Sequence, residues 1–159
     1  MKILGIDIGY DRCGYAVFDL RSPIGPIDYG LIVTEKNVEM RLRLRKLKNA
    51  LYENLSSHNI ELVVLEKLFY NRKNTVFEKI CMAKGVIMEF FADIKVIELE
   101  PKKVKKDILG SGDLNKSDIK RILKRIIHVD NMDRLKDDVI DAILLGYYGV
   151  RLVQFYGIK

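Results

Sequence analysis

Residues 2–20 read KILGIDIGYDRCGYAVFDL, and the fold turns on how this stretch divides. Its β-branched and aromatic residues fall into two runs, 2–9 and 13–20, separated by turn residues, which predicts two strands folded back on each other. A third strand is expected over 26–34, after RSPIGPIDYG, whose prolines and glycine mark the second connection. Loops this short make neighbouring strands antiparallel. In the middle of the first strand stands Asp7, among Ile3, Leu4, Ile6 and Ile8. A buried charge must be paired, hydrogen-bonded or bound to metal, so Asp7 either ties down the loop after Gly9 or belongs to a site.

Downstream the periodicity changes. Met40, Leu44, Leu47, Leu51 and Leu55 follow a 4-3-4-4 spacing, which belongs to a helix despite local alternation. Residues 60–66, IELVVLE, predict a buried strand, 75–92 an apolar helix, and IKVIELE another strand. Pro101, preceded by Glu100, suits the first turn of a helix. GSG at 110–112 ends it, Asn115 or Ser117 can cap the next helix, and a last helix is expected from near Arg134. The order β-β-β-α-β-α-β-α-α-α predicts an α/β fold in a single domain over 1–159. A three-strand meander is extended by parallel strands through helical crossovers into a five-stranded mixed sheet flanked by helices.

The chain carries a net charge of +6. Residues 101–125 hold nine Lys or Arg against three Asp or Glu, so this segment alone accounts for the excess. A basic balance confined to one stretch points to a polyanion partner, although a solvated helix face would look the same. No apolar run is long enough to span a membrane and no signal-peptide pattern opens the chain, so a cytoplasmic location is expected. Cys13 and Cys81 lie in apolar sequence and read as reduced core thiols.

Three further carboxylates share the character of Asp7. Glu66 ends the apolar strand LVVLE, and Asp138 and Asp141 lie three residues apart on the last helix, hence on one face. Asp137, four residues before Asp141, is equally eligible by spacing. If the first and fourth strands are adjacent and parallel, Asp7 and Glu66 converge. Oxygen ligands without thiolate or imidazole suit Mg²⁺ or Mn²⁺. His58 and His128 are read as structural or solvated.

GIDIG followed by GYAV, then LEKLF, PKKVK with GSG and Lys116, and finally DDVIDAI, appear in an order and spacing that resembles the Holliday-junction resolvases of the RuvC type. The resemblance spans about Ile3 to Val153. It implies a ribonuclease-H-like fold and a metal-dependent endonuclease that resolves four-way DNA junctions by paired symmetric nicks in recombination and repair. Carried over residue by residue, the catalytic, metal-binding acids fall on Asp7, Glu66, Asp138 and Asp141. The DNA-contacting aromatic falls on Phe69, and the important lysines on Lys105 and Lys116. Two Mg²⁺ ions, about 4 Å apart and replaceable by Mn²⁺, are implied, with Asp7 bridging them. The products implied are 5′-phosphate and 3′-hydroxyl ends. Ile8 stands where the family usually has proline, GYAV replaces GYGV, and some relatives carry His in place of Asp138. DRCG and the region around NRKN are individual to this chain, which bears on DNA preference.

DNA backbones are expected along 101–125 and the Arg and Lys of 41–48. Phe69 and Tyr70 each have a stacking and a packing reading, with packing favoured for Tyr70. Two matched nicks require two sites, hence a homodimer, and the nearly all-round apolar helix over 75–92 is the expected interface. A branch-migration motor complex is left open as a partner. The rivals are another ribonuclease-H-like nuclease acting on branched DNA or RNA–DNA hybrid, and an inactive junction-binding protein. A sugar-kinase-like phosphate loop, superficially matched by GIDIGYDRCGYAV, needs two domains and more chain than this.

Overall fold

In the computed structural model, residues 1–22, 24–69 and 75–157 are described. The chain runs β1 (Lys2–Asp7), β2 (Arg12–Asp19), β3 (Asp28–Val33), α1 (Met40–Leu55), β4 (Leu62–Glu66), α2 (Thr75–Phe90), β5 (Lys95–Leu99), α3 (Pro101–Leu109), α4 (Lys116–Ile126) and α5 (Asp137–Tyr156). The five strands form one sheet in the order β3-β2-β1-β4-β5. β1 pairs antiparallel with β2 and parallel with β4, and β5 lies parallel to β4. The expected element order and mixed sheet are both present.

Side chains alternate between the two faces of a strand, and here the alternation sorts two cores. Leu4, Ile6, Val63 and Leu65 face α1 and α2, where Leu47, Leu51, Leu55 and Ile87 complete one cluster. Ile3, Leu62 and Val64 face the other way, into a second cluster with α3, α4 and α5. Asp7 and Glu66 continue the series Ile3–Gly5–Asp7 and Leu62–Val64–Glu66, so both carboxylates belong to the α5 side.

Glycines set how closely α5 approaches. A Cβ at Gly5 would stand 2.2 Å from the Ala142 carbonyl oxygen, and one at Gly14 would stand 2.1 Å from that of Asp138. Real Cβ atoms do not approach that closely, so these two strand positions admit the helix backbone only because they lack a side chain. The helix start differs from expectation. A short 3₁₀ turn, Met132–Arg134, precedes α5, which begins at Asp137. Asn115 caps α4, its side chain accepting from the Asp118 N–H at 2.9 Å.

Two expectations are corrected, and the helix over 75–92 is resolved into two faces. Cys81 is exposed on α2 rather than buried, whereas Cys13 is buried in β2. Ile87 of that helix lies fully buried against the sheet. The outer face of α2 instead presents Cys81, Met82, Gly85 and Met88. Arg43, expected among the DNA-facing cations of 41–48, is only 6% exposed and takes the place of a core residue on α1. Among the described residues no helix is long and apolar enough to cross a membrane. Tyr70 and the residues from 71 to 74 lie outside the described residues.

Candidate active site

β1 and β4 are in parallel register with Ile6 opposite Leu65, so Asp7 and Glu66 come next at the same end of adjacent strands. α5 crosses them on the glycine-floored face and brings Asp138 and Asp141 over that end. Burial pushes the Asp7 carboxyl up to about 7, and the negative charges of Asp141, Glu66 and Asp138 push the same way, against a smaller pull from Lys116. Burial, and then Asp141, also raises Glu66, opposed by Lys105 and Lys116. The four sequence-predicted acids are thus one electrostatic cluster.

Asp137 points elsewhere. Its carboxylate lies 3.6 Å from Lys120 and is 55% exposed, against 19% for Asp138. Backbone at Asp138 packs on Gly14, and its side chain meets Arg12 at 3.3 Å. The Lys116 ammonium is paired with Asp141. Lys105 lines a small crevice with Glu66, Asp141 and Pro101. Phe69 is 57% exposed, three residues beyond Glu66, with the Lys67 ammonium 5.9 Å from its ring centre. That exposure favours the stacking reading over core packing. His58 is hydrogen-bonded to Asp28 at 2.8 Å, away from the cluster, as expected of a structural histidine.

As the side chains lie, no three His, Cys, Asp or Glu among the described residues are arranged to hold one ion; the Lys116 ammonium holds Asp141. The donor set nevertheless fits a hard divalent cation. The Oδ1 oxygen of Asp141 is buried without a hydrogen-bond partner, a costly state for a carboxylate, and every candidate ligand is oxygen. Burial first, and then the clustered negative charge, push the Asp7 carboxyl up, and a cation relieves the clustered charge.

Sequence reasoning missed two residues here and misplaced a third, Arg43. Arg12 is a direct partner of Asp138. Arg43 binds the β1–β2 turn, donating from its guanidinium to the Tyr10 carbonyl at 3.0 Å and to the Thr34 hydroxyl at 3.0 Å, and pairing with Asp11. Its own spacing held the signal, because Arg43 lies four residues before Leu47 on the buried stripe of α1. The other missed residue is Tyr10, whose ring lies 4.8 Å from the Arg43 guanidinium and 5.3 Å from the Lys79 ammonium.

Comparison with known proteins gives a consistent answer. A family model described as crossover junction endodeoxyribonuclease RuvC matches residues 3–146. The protein of that name from Brevibacillus brevis is 33% identical over 162 residues, covering 100% of this chain and 97% of its own length. Its namesake from Syntrophomonas wolfei is 34% identical over 151 residues, covering 92% and 86%. Among solved structures, Thermus thermophilus RuvC superposes with a TM-score of 0.82 at 19% identity, over 98% of this chain and 97% of its own. The same protein in complex with a Holliday junction substrate also gives 0.82, at 18% identity, covering 97% of this chain and 95% of its own.

Proposed function

The chain belongs to the crossover junction endodeoxyribonuclease RuvC family, and from that premise we propose that it resolves four-way DNA junctions with the cluster around Asp7. It is a divalent-metal-dependent nuclease on a ribonuclease-H-like fold. The observation that carries the assignment of the site is the meeting of Asp7 and Glu66 with Asp138 and Asp141, where burial and the neighbouring acids push the Asp7 carboxyl up. These four acids would hold two Mg²⁺ ions, with Mn²⁺ able to replace them. When bound, the cations supply the charge that activates water for in-line attack on the phosphodiester and balances the leaving 3′-oxygen.

The chain's own groups do the rest. Asp7, flanked by the other three acids, would hold a cation as the ionised carboxylate. Lys116, paired with Asp141, would be free to meet the DNA backbone where Asp141 holds a cation. Lys105, close enough to lower the Glu66 carboxyl, holds the same strand from α3. Phe69 offers an exposed ring to a base opened at the crossover, a contact worth about 1–3 kcal/mol. Paired nicks call for a homodimer, and the exposed Met82 and Met88 of α2 support that face as the contact.

End-labelled synthetic four-way junctions, linear duplex and RNA–DNA hybrid distinguish the readings. The expected result is paired nicks in the junction with Mg²⁺, none in excess chelator, and little cutting of the other two. Equal cutting of the hybrid would replace junction resolution with a broader nuclease activity.

A further inference from the structure

The turn between β1 and β2 and the start of β2, through Asp11 and Arg12, help line a cavity of about 410 Å³ that opens onto Asp138. Gly9, Tyr10 and Arg12 line it from the β1–β2 turn and the start of β2, Val33, Thr34 and Lys36 from the end of β3 and the segment after it, and Ile80 from α2. We propose that this cavity seats the phosphate next to the one that is cut, with its deoxyribose, through Arg12 and Lys36. The proposal rests on the junction-nuclease reading and deepens it. The β1–β2 turn would set the path by which the cleaved strand reaches the acids.

Charge argues for a phosphate. Asp11 is paired with the buried Arg43, and Glu35, beside Lys36, is taken by Lys46 at 3.0 Å. Asp138 is the remaining acid of the lining, at the edge shared with the catalytic cluster. Arg12 meets it with one edge, at 3.3 Å, and is 55% exposed, so its other donors face the cavity and solvent. A guanidinium between a carboxylate and an open cavity suits a phosphate oxygen. The apolar side chains of Val33 and Ile80 suit the sugar.

The cavity is also preformed. Thr34 donates its backbone N–H to the Asp11 carbonyl at 2.9 Å and its hydroxyl to the Tyr10 carbonyl at 2.5 Å. Arg43 adds hydrogen bonds to both Tyr10 and Thr34 from beneath. The turn after β1 and the end of β3 are therefore tied together before any ligand arrives, and little ordering is left for binding to supply.

Single methylphosphonate replacements along the cleaved strand of a synthetic junction test this, because each removes one phosphate charge. With wild type, neutralising one phosphate flanking the cut should lower kcat/KM roughly tenfold, the size of one charge-assisted contact. In Arg12→Ala and in Lys36→Ala the intact junction should already be cut less well, mainly through KM, and the same replacement should cost less than about twofold. Arg12→Lys should restore much of the penalty. A wild-type penalty that persists undiminished in both variants would overturn the proposal. So would an Arg12→Ala enzyme whose loss lies wholly in kcat with the phosphate penalty unchanged, since Arg12 would then act only through Asp138. Wild type that leaves the unmodified junction uncut would instead remove the underlying resolvase reading.

Discussion

An unfolded chain ionises Asp7 near pH 3.8, whereas the folded chain keeps its proton until about pH 7. The folded state therefore binds the extra proton, and its stability falls as pH rises between those two values. The cost is absent below about pH 4 and complete above about pH 7. At about 1.4 kcal/mol per pH unit it reaches at most a few kcal/mol. Asp7→Asn should consequently raise the melting temperature of chelated protein at pH 8 by several degrees, at about 2–4 °C per kcal/mol for a chain of this size. The gain should vanish near pH 4, and divalent cation should narrow it by stabilising wild type more than the variant. A variant that melts below wild type at pH 8 would show that Asp7 is a structural hydrogen-bonding residue. The same logic separates Asp138 from Asp137. Helical spacing places both near Asp141, but Asp138 backs onto Gly14 and faces Arg12, while Asp137 faces Lys120. Asp138→Asn should abolish single-turnover cleavage of a saturated junction, and Asp137→Asn should leave most of it. The reverse result would shift the assignment on α5 by one residue.

At the scale of elements, α2 separates an inner from an outer face. Ile87 and Ala83 are fully buried against the sheet, while Met82 and Met88 are exposed. A charge at Ile87 should therefore unfold the chain rather than report on assembly. Met82→Glu should keep the fold and shift sedimentation at micromolar concentration from dimer to monomer, with loss of paired nicks. Wild type sedimenting as a monomer would remove α2 as the interface. The sequence made this helix legible as an element but not its faces, because apolar residues on nearly every side leave no periodic contrast to assign. β1 was more legible: its alternation puts Asp7 on the face of Ile3 and Gly5, and the short connections fix its neighbours. Hidden from that reading was the approach of α5, which depends on side chains that are missing. Gly5 and Gly14 leave no pattern in hydropathy, yet they decide that Asp138 and Asp141 reach Asp7. Arg43 carried a signal in its spacing on the buried stripe, but its charge reads as solvent-facing until its carbonyl and carboxylate partners are seen.

On the scale of the whole molecule, the excess positive charge is already partly engaged within the chain. Lys102 pairs with Asp113 at 3.0 Å, Lys103 with Asp107 at 3.2 Å and Arg121 with Asp118 at 2.7 Å. Such pairs are largely exposed and contribute little each, about 0–1 kcal/mol, so a DNA phosphate can take the cation. Lys116 differs, since its partner Asp141 belongs to the acid cluster. Binding should thus be strongly salt-dependent, with log K falling by about 0.9 per phosphate neutralised for every tenfold rise in salt. The measurement is junction binding by the Asp7→Asn protein, which is expected not to cut, followed by fluorescence anisotropy from low to moderate salt in chelator. Lys105→Ala should weaken binding and flatten the slope by about one phosphate. Lys116→Ala should flatten it at least as much, because removing the ammonium also exposes the charge of Asp141 to the incoming strand, a repulsion that salt screens. The preference for junction over linear duplex should persist across the series, since shape rather than total charge sets it. A slope near zero would leave residues 101–125 as a solvated face. A steep slope with equal affinity for duplex would keep the basic surface but deny it any part in choosing the junction.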